Sequence, residues 1–241
     1  MDNIIHKAAT RGHADHGWLE SYQTFSFAGY YNPERIRFGA LRVLNDDRVE
    51  GGKGFGSHPH DNMEIISIPL EGSLVHEDNM GNKKVVGPGE VQVMSTGKGI
   101  FHSEYNNSLH HPVKFLQIWV FPNRLNVTPR YDQITRDPKK EHNQLQPIVS
   151  PAPADAGTWI YQDAWFSIGH FDKDRGVDYT LQKAGNGIYL FVIKGSFRLE
   201  EQLLSTRDGL GIADRKDIHL TAVEEGSELL VMDIPMHVKQ Y

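Results

Sequence analysis

Apolar and polar positions along this chain fall mostly into short blocks with the two-residue period of β-strands. Residues 36–44 alternate, 63–70 form an apolar run that stops at Glu71-Gly72, and 73–76 resume it. The Met80-Gly81-Asn82 and Gly87-Pro88-Gly89 turns bracket Val85-Val86 and lead into 91–94. Residues 115–121 are apolar at odd and even positions alike, the pattern of a strand packed on both faces. Helical periodicity is scarce. Residues 132–143 are polar, charged and interrupted by proline, and read as a connector with a short helix. Residues 147–157, with three prolines, read as a linker. Strand signals return at 165–170, 188–193, 197–199, 218–223 and 228–234.

Two of these strand-like blocks carry paired metal-ligand side chains. His58 and His60 stand in G-S-H-P-H, and His102 and Glu104 in G-I-F-H-S-E, each pair spaced i, i+2. That spacing puts both members on one face of an extended strand, about 7 Å apart along the backbone. Imidazole is the commonest protein metal ligand and a carboxylate its usual anionic complement. Two neighbouring strands could therefore close three nitrogens and one oxygen around a single ion.

The two halves of the chain repeat weakly. Glu71-Gly72-Ser73 has its counterpart in Lys194-Gly195-Ser196, and Phe121-Pro122 in Ile234-Pro235. The overlay puts Leu181 and Lys183 where His58 and His60 stand, and Leu220 and Ala222 where His102 and Glu104 stand. The second copy is thus expected to keep the framework without the ligands. His170 and His219 lie in that half without a partner two residues away, and read as surface or satisfied-core residues.

At 241 residues the chain is long enough for one large β domain or two smaller ones. A formal net charge of -6 without any Lys/Arg run argues against a nucleic-acid surface and against an anionic membrane. With no cysteine there is no disulfide, thiolate metal site or cysteine nucleophile. No apolar stretch reaches transmembrane length and no signal-peptide pattern opens the chain, so a cytoplasmic location is expected.

Gly52-x5-His58-x-His60-x3-Glu64 resembles the first cupin motif. Gly89-x5-Ser95-x-Gly97, continued to His102-x3-Asn106, resembles the second, with Ser95 where proline is usual. The segments G-F-G-S-H-P-H-D-N-M-E, V-M-S-T-G-K-G-I-F-H-S-E and F-L-Q-I-W-V are similar to the pirin family of two-domain cupins, especially its bacterial quercetinase-like members. The resemblance implies an all-β bicupin, two jelly-roll β-barrels in tandem. The metal-binding domain would span 1–130, a connector 131–158, and a C-terminal domain without metal 159–241. It also implies one divalent transition metal per chain, iron(II) first, with zinc, manganese, cobalt, nickel and copper also suited to such a donor set. The activity implied is a dioxygenase that opens a flavonol such as quercetin with dioxygen and releases carbon monoxide. Some pirins act instead as iron-bound regulators, so the alternative is a non-enzymatic metal-binding protein working through protein partners.

The two patterns differ over the carboxylate. The general cupin pattern assigns the fourth ligand to Glu64, which shares parity with His58 and His60 on an unbroken strand. The pirin resemblance assigns it to Glu104, and the i, i+2 spacing from His102 favours that choice; Glu64 would then orient a ligand or form a barrel salt bridge. Either carboxylate could accept the flavonol proton. His76 reads either as facing the same cavity or as a satisfied barrel residue. Gln117 and Trp119 share a strand face and are candidates to line a pocket, with core packing the default for Trp119 and Phe101 a further aromatic candidate. His13, His16, His110 and His111 sit in loop-like polar contexts and read as solvated.

Overall fold

A computed structural model describes residues 3–238; the outermost residues of the two expected domains lie outside the described residues. The chain folds as four antiparallel-dominated sheets, two per half. In the first half a seven-stranded sheet runs Arg130–Thr135, Glu90–Ser95, Glu64–Glu71, Val113–Val120, Leu41–Val49, Leu19–Gln23, Gly12–Asp15. Opposite it lies a four-stranded sheet of Gly54–His60, Ile100–Asn106, Leu74–Asp78 and Lys83–Val86. The second half repeats the plan, with Gly209–Ile212, Asn186–Lys194, Ser227–Pro235 and Trp165–Phe171 at the centre of its large sheet. Its small sheet is Gly176–Thr180, Asp217–Ala222, Ser196–Leu199 and Gln202–Ser205.

Three segments differ from the sequence reading. Strand Ile4–His6, inside the expected N-terminal domain, pairs with Gly209–Ile212 of the second half. The expected connector holds strand Arg130–Thr135, which completes the first large sheet, followed by the one-turn helix Pro138–Glu141. The proline-rich linker opens with strand Gln146–Ser150, paired to Trp165–Phe171 across a register irregularity at Pro147, where the ladder lacks a donor.

The largest apolar cluster lies between the two seven-stranded sheets rather than inside either barrel. Ile66, Ile68, Leu116, Ile118 and Val120 of the first half meet Phe166, Ile168, Phe191, Leu230 and Met232 of the second. A second cluster, with Leu190, Val192, Leu220 and Val231, fills the C-terminal barrel. Among the described residues the N-terminal barrel has two small apolar clusters of its own. Alternation explains the division: in Val113–Val120 the even positions face the other half, while Phe115, Gln117 and Trp119 point into the barrel. Full burial of each such aliphatic or aromatic side chain is worth ~1.5–3 kcal/mol. The fold is therefore held largely from outside the N-terminal barrel, whose interior is left free to be polar.

Candidate metal centre

His58 and His60 project inward from Gly54–His60, while Ser57 and Pro59 between and beside them are exposed. The neighbouring strand is in register with His102 opposite His58 and Ile100 opposite His60. The ring centroids of His58, His60 and His102 stand 4.8, 4.4 and 5.0 Å apart pairwise. One ring nitrogen from each lies within 4.8 Å of the others. The strands come this close because residue 54 is glycine: a Cβ there would collide with the Glu104 carbonyl and with Tyr105.

Glu104 is buried one register step further on, opposite His76. Its carboxylate accepts hydrogen bonds from Ser67 Oγ at 3.3 Å and Gln117 Nε2 at 3.0 Å. It is gathered not with His58 and His60 but with His76 and His102, in a second set whose ligand atoms also lie within 4.8 Å. His102 belongs to both sets and joins them.

Electrostatics favour a cation here. Burial, and then His58, hold His60 down at about 4. Burial and the three neighbouring imidazoles push His102 to about 2, so both rings are neutral and carry free lone pairs at neutral pH. Burial drives the Glu104 carboxyl up to about 7 against its two hydrogen bonds, and no Lys or Arg pairs with it among the described residues. His102 Nε2 is buried without a hydrogen-bond partner. An orphaned imidazole nitrogen and an uncompensated carboxylate are both satisfied by one divalent ion, so the residues present fit such a group.

The orientation of His102 is prepared by a short chain. Asp78 Oδ2 accepts from His76 Nε2 at 3.0 Å. Burial opposes ionisation of Asp78, but bonds from His76, Asn82 and the backbone of Asn82 and Met80 outweigh it and hold the carboxyl below its ordinary value. An ionised Asp78 places the His76 proton on Nε2, leaving His76 Nδ1 as acceptor. That atom faces His102 Nδ1 at 3.5 Å. The His102 proton is thereby drawn to Nδ1, and the orphaned Nε2 keeps its lone pair.

Glu64 does not join this site. Between His60 and Glu64 the chain turns at Asn62, whose φ is +46°, and the turn reverses the expected parity. Glu64 therefore shares a face with Ile66 and Ile68 and points toward the other half. Ser95 Oγ donates to it at 2.6 Å. Burial pushes its carboxyl to about 8 despite Ser95, the Tyr161 backbone and Arg130.

Trp119 lies against both His60, at 4.9 Å between centroids, and Phe27, at 5.2 Å. Phe101, an aromatic candidate by sequence, is 52% exposed on the outer face of its strand. His13, His16, His110 and His111 are exposed. His170 pairs with Glu141 and Glu228, and the exposed His219 pairs with Asp178. In the second half Leu220 stands opposite Val177 and Ile218 opposite Tyr179. By that register Val177 and Tyr179, not Leu181 and Lys183, take the places of His58 and His60, and all lie in the apolar core of that barrel. Lys183 is on the surface, paired with Asp163. Sequence reasoning did not single out Ser67, Gln92, Asn45, Asp47 or Asp78. The available signal was a lone polar residue at an inward position of an apolar strand, as in I-I-S-I and V-Q-V-M.

Two fused barrels, with an imidazole cluster in only the first among the described residues, define the class, a bicupin with one candidate metal region. Residues 5–120 match the family described as Pirin, and 147–234 the quercetinase C-terminal cupin domain. A quercetin 2,3-dioxygenase of Escherichia coli strain K12 is 43% identical over 96% of this chain and 98% of its own. A pirin-like protein of Caulobacter vibrioides is 37% identical over 92% of this chain and 95% of its own. The crystal structure of the bacterial pirin YhhW of Escherichia coli in complex with nickel(II) superposes with a TM-score of 0.91 at 41% identity, covering 97% of this chain and 99% of that one. The chain belongs to the pirin family.

Proposed function

We propose that the N-terminal barrel holds one divalent transition metal, iron(II) first, on His58, His60 and His102 with Glu104 as anionic fourth ligand. We further infer that the loaded protein opens a flavonol with dioxygen and releases carbon monoxide. The observation that carries this reading is the convergence of three inward imidazoles, one nitrogen of each within 4.8 Å of the others, beside a buried carboxylate without a cationic partner. Relatives named quercetin 2,3-dioxygenase, and a relative of known structure holding nickel(II), support it.

When bound, the metal supplies Lewis acidity that lowers the pKa of a coordinated hydroxyl and a centre for dioxygen chemistry. The remaining work falls to the chain. His58, His60 and His102 bind as neutral rings, with Asp78 and His76 holding His102 in the tautomer that exposes Nε2. Glu104, its orientation fixed by Ser67 and Gln117, is placed to accept the flavonol hydroxyl proton. Trp119 offers a flat apolar wall beside His60 for a planar substrate.

The test is anaerobic reconstitution with each candidate metal in turn, followed by simultaneous oxygen-uptake and carbon monoxide measurement with a flavonol. One carbon monoxide per dioxygen consumed is expected, with both lost in His60→Ala. Metal retained on a folded protein without oxygen uptake above the free-metal background would replace this reading with the regulatory one.

A further inference from the structure

A row of polar side chains crosses the inner face of the large N-terminal sheet at one level. Gln23 stands opposite Asn45, Asn45 opposite Gln117, Gln117 opposite Ser67, and Ser67 opposite Gln92. The right-hand part of this row is tied to the candidate metal centre: Gln117 and Ser67 donate to Glu104, and Gln92 Nε2 reaches His76, with only Gln92 Oε1 left unpartnered there. The left-hand part is not. Gln23 Oε1 and Asn45 Oδ1 are buried without a hydrogen-bond partner, and so is Oδ1 of Asp47, one inward position along from Asn45. These residues are only 3%, 2% and 6% exposed.

All three line a cavity of about 480 Å³ whose walls include Phe27, Tyr30 and Phe55. Aromatic side chains of its wall stand between the cavity and the histidine cluster: Phe27 packs on Trp119, which touches His60, and Phe55 stands 6.5 Å from His58 between ring centroids. Two strand spacings separate Gln117 from Gln23, or about 10 Å. By that span, a planar aromatic molecule with one edge at the histidines that displaced the Phe27 or Phe55 ring would lay its far ring over Gln23, Asn45 and Asp47. The two amides can present either end, and burial raises the Asp47 carboxyl to about 7, so at and above neutral pH its ionised form offers acceptor oxygens that ligand hydroxyl hydrogens satisfy.

We propose that Gln23, Asn45 and Asp47 form a subsite that reads the phenolic hydroxyls on the substrate ring far from the metal. This rests on the flavonol reading above and gives its specificity. Buried acceptors left unpaired penalise a ligand that lacks the matching donors.

The test is equilibrium binding to metal-loaded, oxygen-free protein of two flavonols with the same metal-facing edge. One carries hydroxyls on its outer rings; the other, 3-hydroxyflavone, carries none there. The wild-type chain should bind the hydroxylated compound at least about tenfold more tightly. Asn45→Leu and Asp47→Leu, made separately, remove unpartnered polar atoms at similar volume; Gln23→Leu replaces either one that misfolds, judged by melting temperature and metal content. In these variants the preference should fall below about threefold, chiefly through loss of affinity for the hydroxylated compound. Equal binding of both flavonols by the wild type, or a preference unchanged in the variants, would overturn the subsite alone. Binding of neither flavonol would overturn the flavonol reading and the subsite with it.

Discussion

Gln117 Nε2 donates to Glu104 Oε2 at 3.0 Å, joining the large sheet of the N-terminal barrel to the small one at the level of the histidines. The neighbours of Gln117 on its own strand, Leu116 and Ile118, point the opposite way into the apolar layer between the two halves. Ser67, the other donor to Glu104, is flanked in the same manner by Ile66 and Ile68. The candidate carboxylate ligand is therefore held from a sheet whose back is locked by the largest core of the molecule. A ligand supported in this way loses little orientational freedom before a metal arrives.

Gln117→Leu should lower metal affinity about 10–100-fold, because Glu104 loses its shorter hydrogen bond and its ionised form becomes harder to reach. Chelator competition measures the change. The melting temperature of the metal-free protein should move little by comparison, since the apolar layer is untouched. An affinity equal to wild type would show that Gln117 does not position Glu104.

Asp78→Asn should release the His76 tautomer. An amide can donate to His76 Nε2, sending the proton to Nδ1, where it opposes the Nδ1–H of His102. Nitrogen chemical shifts of the imidazoles in the metal-free protein should report the switch, and metal affinity should fall about tenfold or more. Unchanged shifts at His76 would contradict the chain from Asp78 to His102.

Glu64 governs stability rather than metal binding. Its carboxyl stays protonated to about 8 in the folded chain, against an ordinary 4.5. Between those values the folded state holds more protons than the unfolded state, so stability falls as pH rises through that window. Glu64→Gln keeps the shape and cannot ionise. Its melting temperature relative to wild type should rise progressively from pH 4.5 to about 8, with metal affinity unchanged. A pH-independent offset, or a loss of metal, would refute the assignment.

The paired histidines were legible because alternation on a strand is local: residues two apart share a face whatever the rest of the chain does. The place of Glu64 was not, since a single turn at Asn62 with positive φ flips every following side chain and leaves no composition signal strong enough to place it. The repeat was legible as a framework, but its register was set four residues late at Leu181 and Lys183. Val177 and Tyr179 carry the inward pattern on Gly176–Thr180, and Leu181 follows the end of that strand. The pairing of Ile4–His6 with Gly209–Ile212 spans most of the chain and has no local signature at all. Strands Arg130–Thr135 and Gln146–Ser150 were masked by charge and by Pro147, both tolerated at the margins of a sheet.

The central claim is that one ion sits among His58, His60 and His102 with Glu104, in the N-terminal barrel alone. Anomalous X-ray diffraction from crystals loaded with one equivalent of metal tests it directly. The expected result is a single peak with three imidazole nitrogens and the Glu104 carboxylate around it, and none in the C-terminal barrel. A peak held by His76, His102 and Glu104 without His58 and His60, or a second peak in the C-terminal half, would contradict the account.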